Sequence, residues 1–309
     1  MKKVFIDGKA GTTGLRIYDR LAGRNDIQLI TLSDEHRKDI KFRKEALNEA
    51  DIAFLCLPDA AAIEAVSLIE NPNTVVLDTS TAHRTESGWT YGFPELSDDI
   101  RNSIATGKRI AVPGCHASGF IALVKPLIDA GIISADTGLV CQSLSGYSGA
   151  GKKAIQQYEN SDDNLLRAPR SYALTQQHKH LKEMKAITGL NEFPVFCPLI
   201  CDYYSGMMVI VSLFKKDLQN DATTGSIREI YKNKYNGPIV KYSEHPDEDG
   251  FMSAVKLSGK DTMEISVSGN DDRSTLIARY DNLGKGASGA AVQCMNILLG
   301  SNETQGLDL

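Results

Sequence analysis

Cys115 stands in Val112-Pro113-Gly114-Cys115-His116-Ala117-Ser118-Gly119-Phe120, where an apolar strand-like run meets a proline-glycine turn and then an apolar helical stretch. At a helix amino terminus a thiolate is favoured by the helix dipole and free backbone amides, which makes the sulfur a nucleophile near neutral pH. The same amides can bind an oxyanion. Cys56, Cys141 and Cys294 read instead as small buried apolar residues. His178-Lys179-His180 can supply a general acid or base, since alternate residues of an extended segment point the same way. The pair also invites a metal, but no ligand set of recognisable spacing accompanies it, and Cys197 and Cys201 are too isolated to complete one. No metal is expected. His116 adjoins the thiol, yet on a helix start its side chain should diverge from the sulfur, which ranks it below the pair.

A second constellation is Gly8-Lys9-Ala10-Gly11-Thr12-Thr13-Gly14, a G-x-x-G-x-x-G directly after a strand-like run and directly before a helical one. Glycine lets a backbone approach a pyrophosphate, and the helix start offers free N–H groups. The turn predicts a dinucleotide on Gly8, Gly11, Thr12, Thr13 and Gly14. Twenty residues past Gly14, Asp34 sits where an acidic residue would bond an adenosine ribose in an NAD enzyme, whereas Ser33, Arg37 and Lys38 suit a 2′-phosphate. Spacing alone leaves both open.

Elements must position these residues. Val4 to Ile6, Ile27 to Leu32, Ile52 to Leu57 (which ends at Pro58) and Val75 to Leu77 read as strands, with helical spacing at Leu15 to Leu21 and Ala60 to Ile69. Strands alternating with helices imply a parallel sheet, ending near residue 114. Beyond it, Gly138 to Ser143, Met207 to Phe214, Ile239 to Tyr242 and Met263 to Val267 suit a mixed sheet, Gly146 to Gly151 and Glu159 to Ser171 read as loops, and Ala287 to Leu299 as a closing helix. The expected fold is α/β, a Rossmann-like doubly wound parallel sheet plus an α+β catalytic domain with a mixed sheet.

The chain of 309 residues is long enough for about two domains. With 42% hydrophobic and 24% charged residues it is an ordinary folded protein, and a net charge of −5 without a long Lys or Arg run argues against nucleic acid or an anionic membrane as partner. A small molecule is the expected ligand. Six cysteines are too few for a disulfide scaffold, and neither a signal-peptide core nor an apolar run of about 20 residues is present, so the cytoplasm is expected.

Five blocks resemble one family. The opening glycine turn, Tyr91-Gly92-Phe93-Pro94-Glu95-Leu96, Pro113-Gly114-Cys115, Ser145-Gly146-Tyr147-Ser148-Gly149-Ala150-Gly151, and Asp281-Asn282-Leu283-Gly284-Lys285-Gly286-Ala287-Ser288-Gly289 come in the order of N-acetyl-gamma-glutamyl-phosphate reductase. The shorter length and Cys-His-Ala-Ser-Gly-Phe resemble the family's compact type 2 branch. The resemblance implies NADPH-dependent reduction of N-acetyl-glutamyl 5-phosphate to N-acetyl-glutamate 5-semialdehyde with release of phosphate, in arginine biosynthesis. It also implies a homodimer or homotetramer. On this reading Cys115 is the nucleophile, and His180 or His178 the proton donor. Ser33, Arg37, Pro58, Ser148, Gly149, Asn282 and Gly286 join the glycine turn at the NADP, and Lys285 is a less certain member. Arg84, Ser80 and Gln142 are the candidate substrate ligands, Arg84 because a guanidinium makes parallel bonds to phosphate or carboxylate, with a structural ion pair as its alternative.

The chain departs from the usual pattern in two places. Lys179 and Lys182 replace an arginine and a proline of the larger members' H-R-H-x-P-E, and Ser80-Thr81-Ala82-His83-Arg84 replaces serine-alanine-aspartate-phenylalanine-arginine. The expected division is residues 1–114 with 285–309 for the NADP-binding domain and 115–284 for the catalytic and oligomerisation domain. An aspartate-semialdehyde dehydrogenase-like enzyme, a cysteine hydrolase and a non-catalytic dinucleotide-binding sensor are the alternatives.

Overall fold

A computed structural model describes residues 1–309. In chain order the elements of the first segment are β1 (Lys2–Asp7), α1 (Thr12–Leu21), β2 (Ile27–Ile30), α2 (Ile40–Glu49), β3 (Ile52–Leu55), α3 (Asp59–Ser67), β4 (Val75–Asp78), β5 (Thr90–Tyr91), α4 (Asp98–Thr106) and β6 (Arg109–Ala111). There follow α5 (Cys115–Asp129), β7 (Val140–Gly146), α6 (Lys152–Asn160), β8 (Arg170–Ser171), α7 (His180–Thr188), β9 (Val195–Cys201), β10 (Met207–Phe214), α8 (Thr224–Lys234), β11 (Val240–Tyr242), β12 (Met263–Asn270) and β13 (Arg273–Tyr280). The chain closes with α9 (Gly289–Leu299). It forms two compact units, Met1–Gly114 with Ala287–Leu307, and Cys115–Gly286 with Asp308–Leu309.

The first unit is a parallel six-stranded sheet in the order β2-β1-β3-β4-β6-β5. Its strands are apolar on both faces because helices cover both. Val4, Ile6 and Phe54 pack with Ile17 of α1, Ile104 of α4 and the α9 residues Ala290, Ala291, Val292 and Met295, whereas Phe5, Ala53 and Leu55 pack with Leu47 of α2 and Ala62 and Ala65 of α3. The strand order reverses between β1 and β3, and at such a point the carboxyl edge of an α/β sheet opens a ligand crevice.

The second unit is a mixed seven-stranded sheet, β11-β12-β13-β10-β7-β9-β8. Helix α5 lies on one face, against β10 and β13 and beside α7. Gly119 permits that approach, since a Cβ there would fall 2.7 Å from both the Tyr280 hydroxyl and Val209 Cγ2. Register places Ser143 opposite Val209 and Gln142 opposite Ile210, so Ser143 shares the α5 face and Gln142 the other.

Several expectations change. Helices α2, α4, α6 and α8 were not legible, because α4 buries only Ile104, α6 only Tyr158 and α8 only Thr224, Ile227 and Tyr231, stripes too thin to read as periodicity. Helix α6 therefore runs into the expected Glu159 to Ser171 loop, and β8 ends it. The second boundary falls at Ala287 rather than 285, because the Gly286 amide bonds the Asp281 carbonyl at 3.0 Å within the second unit. The last two residues also belong there, tied by Asp308 N–H to the Asp261 carboxylate at 2.9 Å.

Candidate active site

In the glycine turn the three glycines answer to different demands. Gly8 has a φ of +85° and a Cβ there would meet the Cys56 carbonyl at 2.3 Å; one at Gly14 would meet the Gly8 carbonyl at 2.5 Å. Those two are required by the turn's own packing. Gly11 is crowded less, its nearest neighbour being the Gly8 oxygen at 3.3 Å, and its bareness also leaves room for a ligand. No side chain caps α1, which leaves the first amides, including those of Thr12 and Thr13, for an anion. Pro58, exposed at the amino cap of α3, belongs to the same carboxyl edge.

Beside the turn lies a cavity of about 470 Å³ lined by Gly8, Lys9, Tyr18, Ser33, Asp34 and Arg37 among others. Arg37 and Asp34, the rival cofactor signals, pair with each other at 3.0 Å, and Ser33 Oγ lies 3.1 Å from His36 Nδ1. Asp7, at the floor, is buried and its carboxyl is pushed up chiefly by desolvation, against the opposing pull of Arg43, whose Nη2 lies 2.9 Å away. An open glycine, uncapped amides and a cavity carrying a cation and hydroxyls fit the phosphate and ribose of a dinucleotide.

Arg84 is buried and donates from Nε to the Val112 carbonyl and from Nη2 to the Thr79 carbonyl, both at 2.9 Å. These two bonds clasp the ends of β4 and β6. Ser80 donates to Asp78 Oδ2 at 2.7 Å, an oxygen that His83 Nδ1 also approaches at 2.6 Å while the His83 ring stacks on Trp89 at 4.0 Å. These three groups brace the loop. The pleat exposes Gln142 on the face away from α5.

In the second unit Cys115 is the first residue of α5, and its carbonyl accepts from the Tyr280 hydroxyl at 2.5 Å. Gly286, expected at the cofactor, lies beside the thiol: a Cβ there would be 3.1 Å from Cys115 Cβ. Asn282 is 1% exposed, accepts the Gly206 amide at 3.0 Å and donates to Ser148 Oγ at 3.0 Å, so it struts β10 against the turn that carries Ser148 and Gly149. Asp281 anchors that corner by accepting from Ser205 Oγ at 2.8 Å and the Leu283 amide at 2.6 Å. Its signal is legible afterwards, as an Asp three residues before a glycine.

His178 and His180 do not alternate along an extended strand. Lys179 is helical, and His180 opens α7. The rings meet at 4.8 Å and 85°, and His178 Nδ1 accepts the His180 amide at 3.2 Å, which leaves the His178 ring proton on Nε2. His116, ranked below the pair, is the third member, with ring centres 5.7 Å from His178 and 5.6 Å from His180. Its Nδ1 lies 2.7 Å from Ser143 Oγ and its Nε2 2.7 Å from the Tyr172 hydroxyl. Burial raises the Tyr172 hydroxyl, and the nearby Cys115 charge adds to the effect. No spacing pointed to Tyr172 or Ser143, which only strand pairing brings to the cluster.

Burial, and then the neighbouring His178, holds His116 down at about 3, and burial with Lys179 holds His178 at about 4. Both rings are neutral at pH 7. An unfolded histidine takes its proton near 6.5, so across the interval down to about 3 the unfolded chain binds more protons, and stability falls as the pH falls. His116 alone contributes up to about 1.4 kcal/mol per pH unit. The melting temperature should drop below pH 6.5, and His116→Gln should flatten the drop; an unchanged acid slope in that variant would refute the assignment.

A glycine-turn parallel sheet and a helix-capped thiol on a mixed sheet define the semialdehyde dehydrogenase class. Residues 3–103 match the family model described as semialdehyde dehydrogenase, NAD binding domain, and residues 115–282 the one described as semialdehyde dehydrogenase, dimerisation domain. Aspartate semialdehyde dehydrogenase II from Vibrio cholerae has a TM-score of 0.73 and 16% identity over 97% of this chain and 98% of that one. The Candida albicans enzyme, solved with NADP, has a TM-score of 0.69 at 15% identity over 98% and 99%. These likenesses are of fold. N-acetyl-gamma-glutamyl-phosphate reductase 2 of Nostoc sp. is 43% identical over 318 aligned residues, 99% of each chain, and N-acetyl-gamma-glutamyl-phosphate reductase of Brucella ovis is 43% identical over 310, 96% of this chain and 99% of that one. The chain belongs to the N-acetyl-gamma-glutamyl-phosphate reductase family.

Proposed function

We propose that the protein catalyses NADPH-dependent reduction of N-acetyl-L-glutamyl 5-phosphate to N-acetyl-L-glutamate 5-semialdehyde and phosphate, a cytoplasmic step of arginine biosynthesis. The observation that carries the chemistry is the Cys115 thiol at the first position of α5, in one unit with a cluster of three imidazoles and a tyrosine. The Cys115 sulfur attacks the acyl carbon, the carbon–oxygen bond to phosphate breaks, and phosphate leaves with the electron pair. A thioester remains on Cys115. NADPH, held along Gly8 to Gly14 with Arg37 and Ser33 toward its 2′-phosphate, supplies a hydride when bound. The resulting oxyanion on the Cys115 adduct accepts a hydrogen bond from His178 Nε2–H and then re-forms the carbonyl as the carbon–sulfur bond breaks, freeing the aldehyde and the thiolate. His180 fixes the His178 ring through its amide.

The unit of 1–114 with α9 serves the dinucleotide, and the unit from Cys115 serves chemistry and self-association. The match to a dimerisation domain and the sheet face bearing exposed Val140 and Val195 support a homo-oligomer. The test is absorbance of reduced nicotinamide with N-acetyl-glutamate semialdehyde, phosphate and NADP. Phosphate-dependent NADP reduction is expected, with kcat/KM at least about 100-fold above that for aspartate semialdehyde. Equal efficiency with the two aldehydes would transfer the protein to the aspartate reaction.

A further inference from the structure

Arg170 stands in β8 opposite Ile200 of β9, and Ile200 stands opposite Ser145 of β7, which in turn faces Met207 of β10. Directly paired residues share a face, so Arg170 lies on the side of the sheet that carries Ser145, Ser143 and α5. Tyr172 continues the same edge, its amide bonding the Pro198 carbonyl at 3.2 Å, and two residues on from Arg170 it shares that face. Its hydroxyl reaches His116. Arg170 is therefore about 7 Å of strand from a residue of the thiol cluster, on the cluster's side.

The guanidinium is half-buried and has no carboxylate within ion-pair distance. What holds it is Tyr158, whose hydroxyl accepts from Arg170 Nε at 3.2 Å and Nη2 at 2.9 Å and whose ring lies 5.2 Å from the cation. Tyr158 is itself buried and stacked on Tyr147 at 4.7 Å, so the cation is aimed by a rigid pair of rings. Desolvating an arginine without an anion is costly, and a fork with Nη1 uncommitted is a receptor for a planar oxyanion.

We infer that Arg170 is the ligand of the substrate's α-carboxylate. The inference rests on the reaction proposed above, whose substrate carries two anions. The phosphate is bonded to the carbon that Cys115 attacks, so its ligands crowd the sulfur; the carboxylate lies at the far end of the glutamyl chain. An arginine set a further strand step beyond Tyr172 matches the second. Arg170 thereby selects an acidic aldehyde over a neutral one, and Tyr158 is its positioning residue.

The experiment compares N-acetyl-glutamate semialdehyde with 4-acetamidobutanal, which is the same molecule without the carboxylate, in the phosphate- and NADP-dependent direction. Wild type prefers the acid. Arg170→Met should raise KM for the acid by roughly 10- to 100-fold with kcat and the phosphate KM nearly unchanged, and should leave 4-acetamidobutanal kinetics as they were. Arg170→Lys, which keeps charge without the fork, should fall between. An equal penalty on both aldehydes would make Arg170 structural, a rise in the phosphate KM alone would make it a phosphate ligand, and an unchanged acid KM would make it a bystander; each overturns the proposal. If wild type oxidises neither aldehyde, the reaction itself is misassigned and the inference falls with it.

Discussion

Cys115→Ser should lower kcat for phosphate-dependent semialdehyde oxidation by about 10³-fold or more while leaving the NADP dissociation constant within about twofold. The two readouts separate because the thiol opens α5 in the second unit, whereas the glycine turn and its cavity belong to the first. A hydroxyl fits the site without strain: the Tyr280 contact is made to the Cys115 carbonyl, and Gly286 leaves the side chain open space. What is lost is ionisation. A serine hydroxyl stays protonated where a helix-capped thiol yields a thiolate, so neither attack nor a stabilised leaving group survives. Steady-state absorbance and fluorescence titration with NADP measure the two quantities, and turnover within about tenfold of wild type would remove the covalent route.

His178→Phe should lower kcat by about 10²- to 10³-fold, the range for loss of one oxyanion hydrogen-bond donor. Phenylalanine preserves the contact with the Phe196 ring, now 5.1 Å away, and deletes only the nitrogens. Because the imidazole is neutral at pH 7 and its Nδ1 takes the His180 amide, the function removed is the Nε2 hydrogen. Cys115 activation comes from α5, so alkylation of the variant by iodoacetamide should proceed at nearly the wild-type rate. Wild-type turnover in His178→Phe would pass the oxyanion-binding role to His180.

Much of this protein follows from local order in the chain. Strand-turn-helix spacing around Gly8 to Gly14 located the glycine turn ahead of α1, and the Pro113-Gly114 turn before an apolar run placed Cys115 at the start of a helix. Both are local because a turn and the helix behind it are adjacent in sequence, and their chemistry is set by backbone conformation and the helix dipole. Even the three glycines are divided by what lies beyond the turn: the Cys56 carbonyl of a different strand, not the ligand, excludes a side chain from Gly8.

The rest was decided by pairing across distance. Arg84 is an anion-ligand candidate by residue type, and only the fold shows that two of its nitrogens donate to the carbonyls of Thr79 and Val112, 5 and 28 positions away. Gln142 and Ser143 are neighbours in sequence, and the pleat alone sends one to solvent and the other to His116. His116 was set aside because it follows the nucleophile along one helix; it joins His178 and Tyr172 because α7 and the chain beyond β8 close over α5. The sequence by itself determined the two folding units' periodicities, the glycine turn and the nucleophile, all carried by residues within a few positions of one another. Which imidazoles and hydroxyls gather beside α5 was decided only by tertiary structure, since strand register and helix packing join residues far apart in the chain, 62 positions for His116 and His178 and 165 for Cys115 and Tyr280.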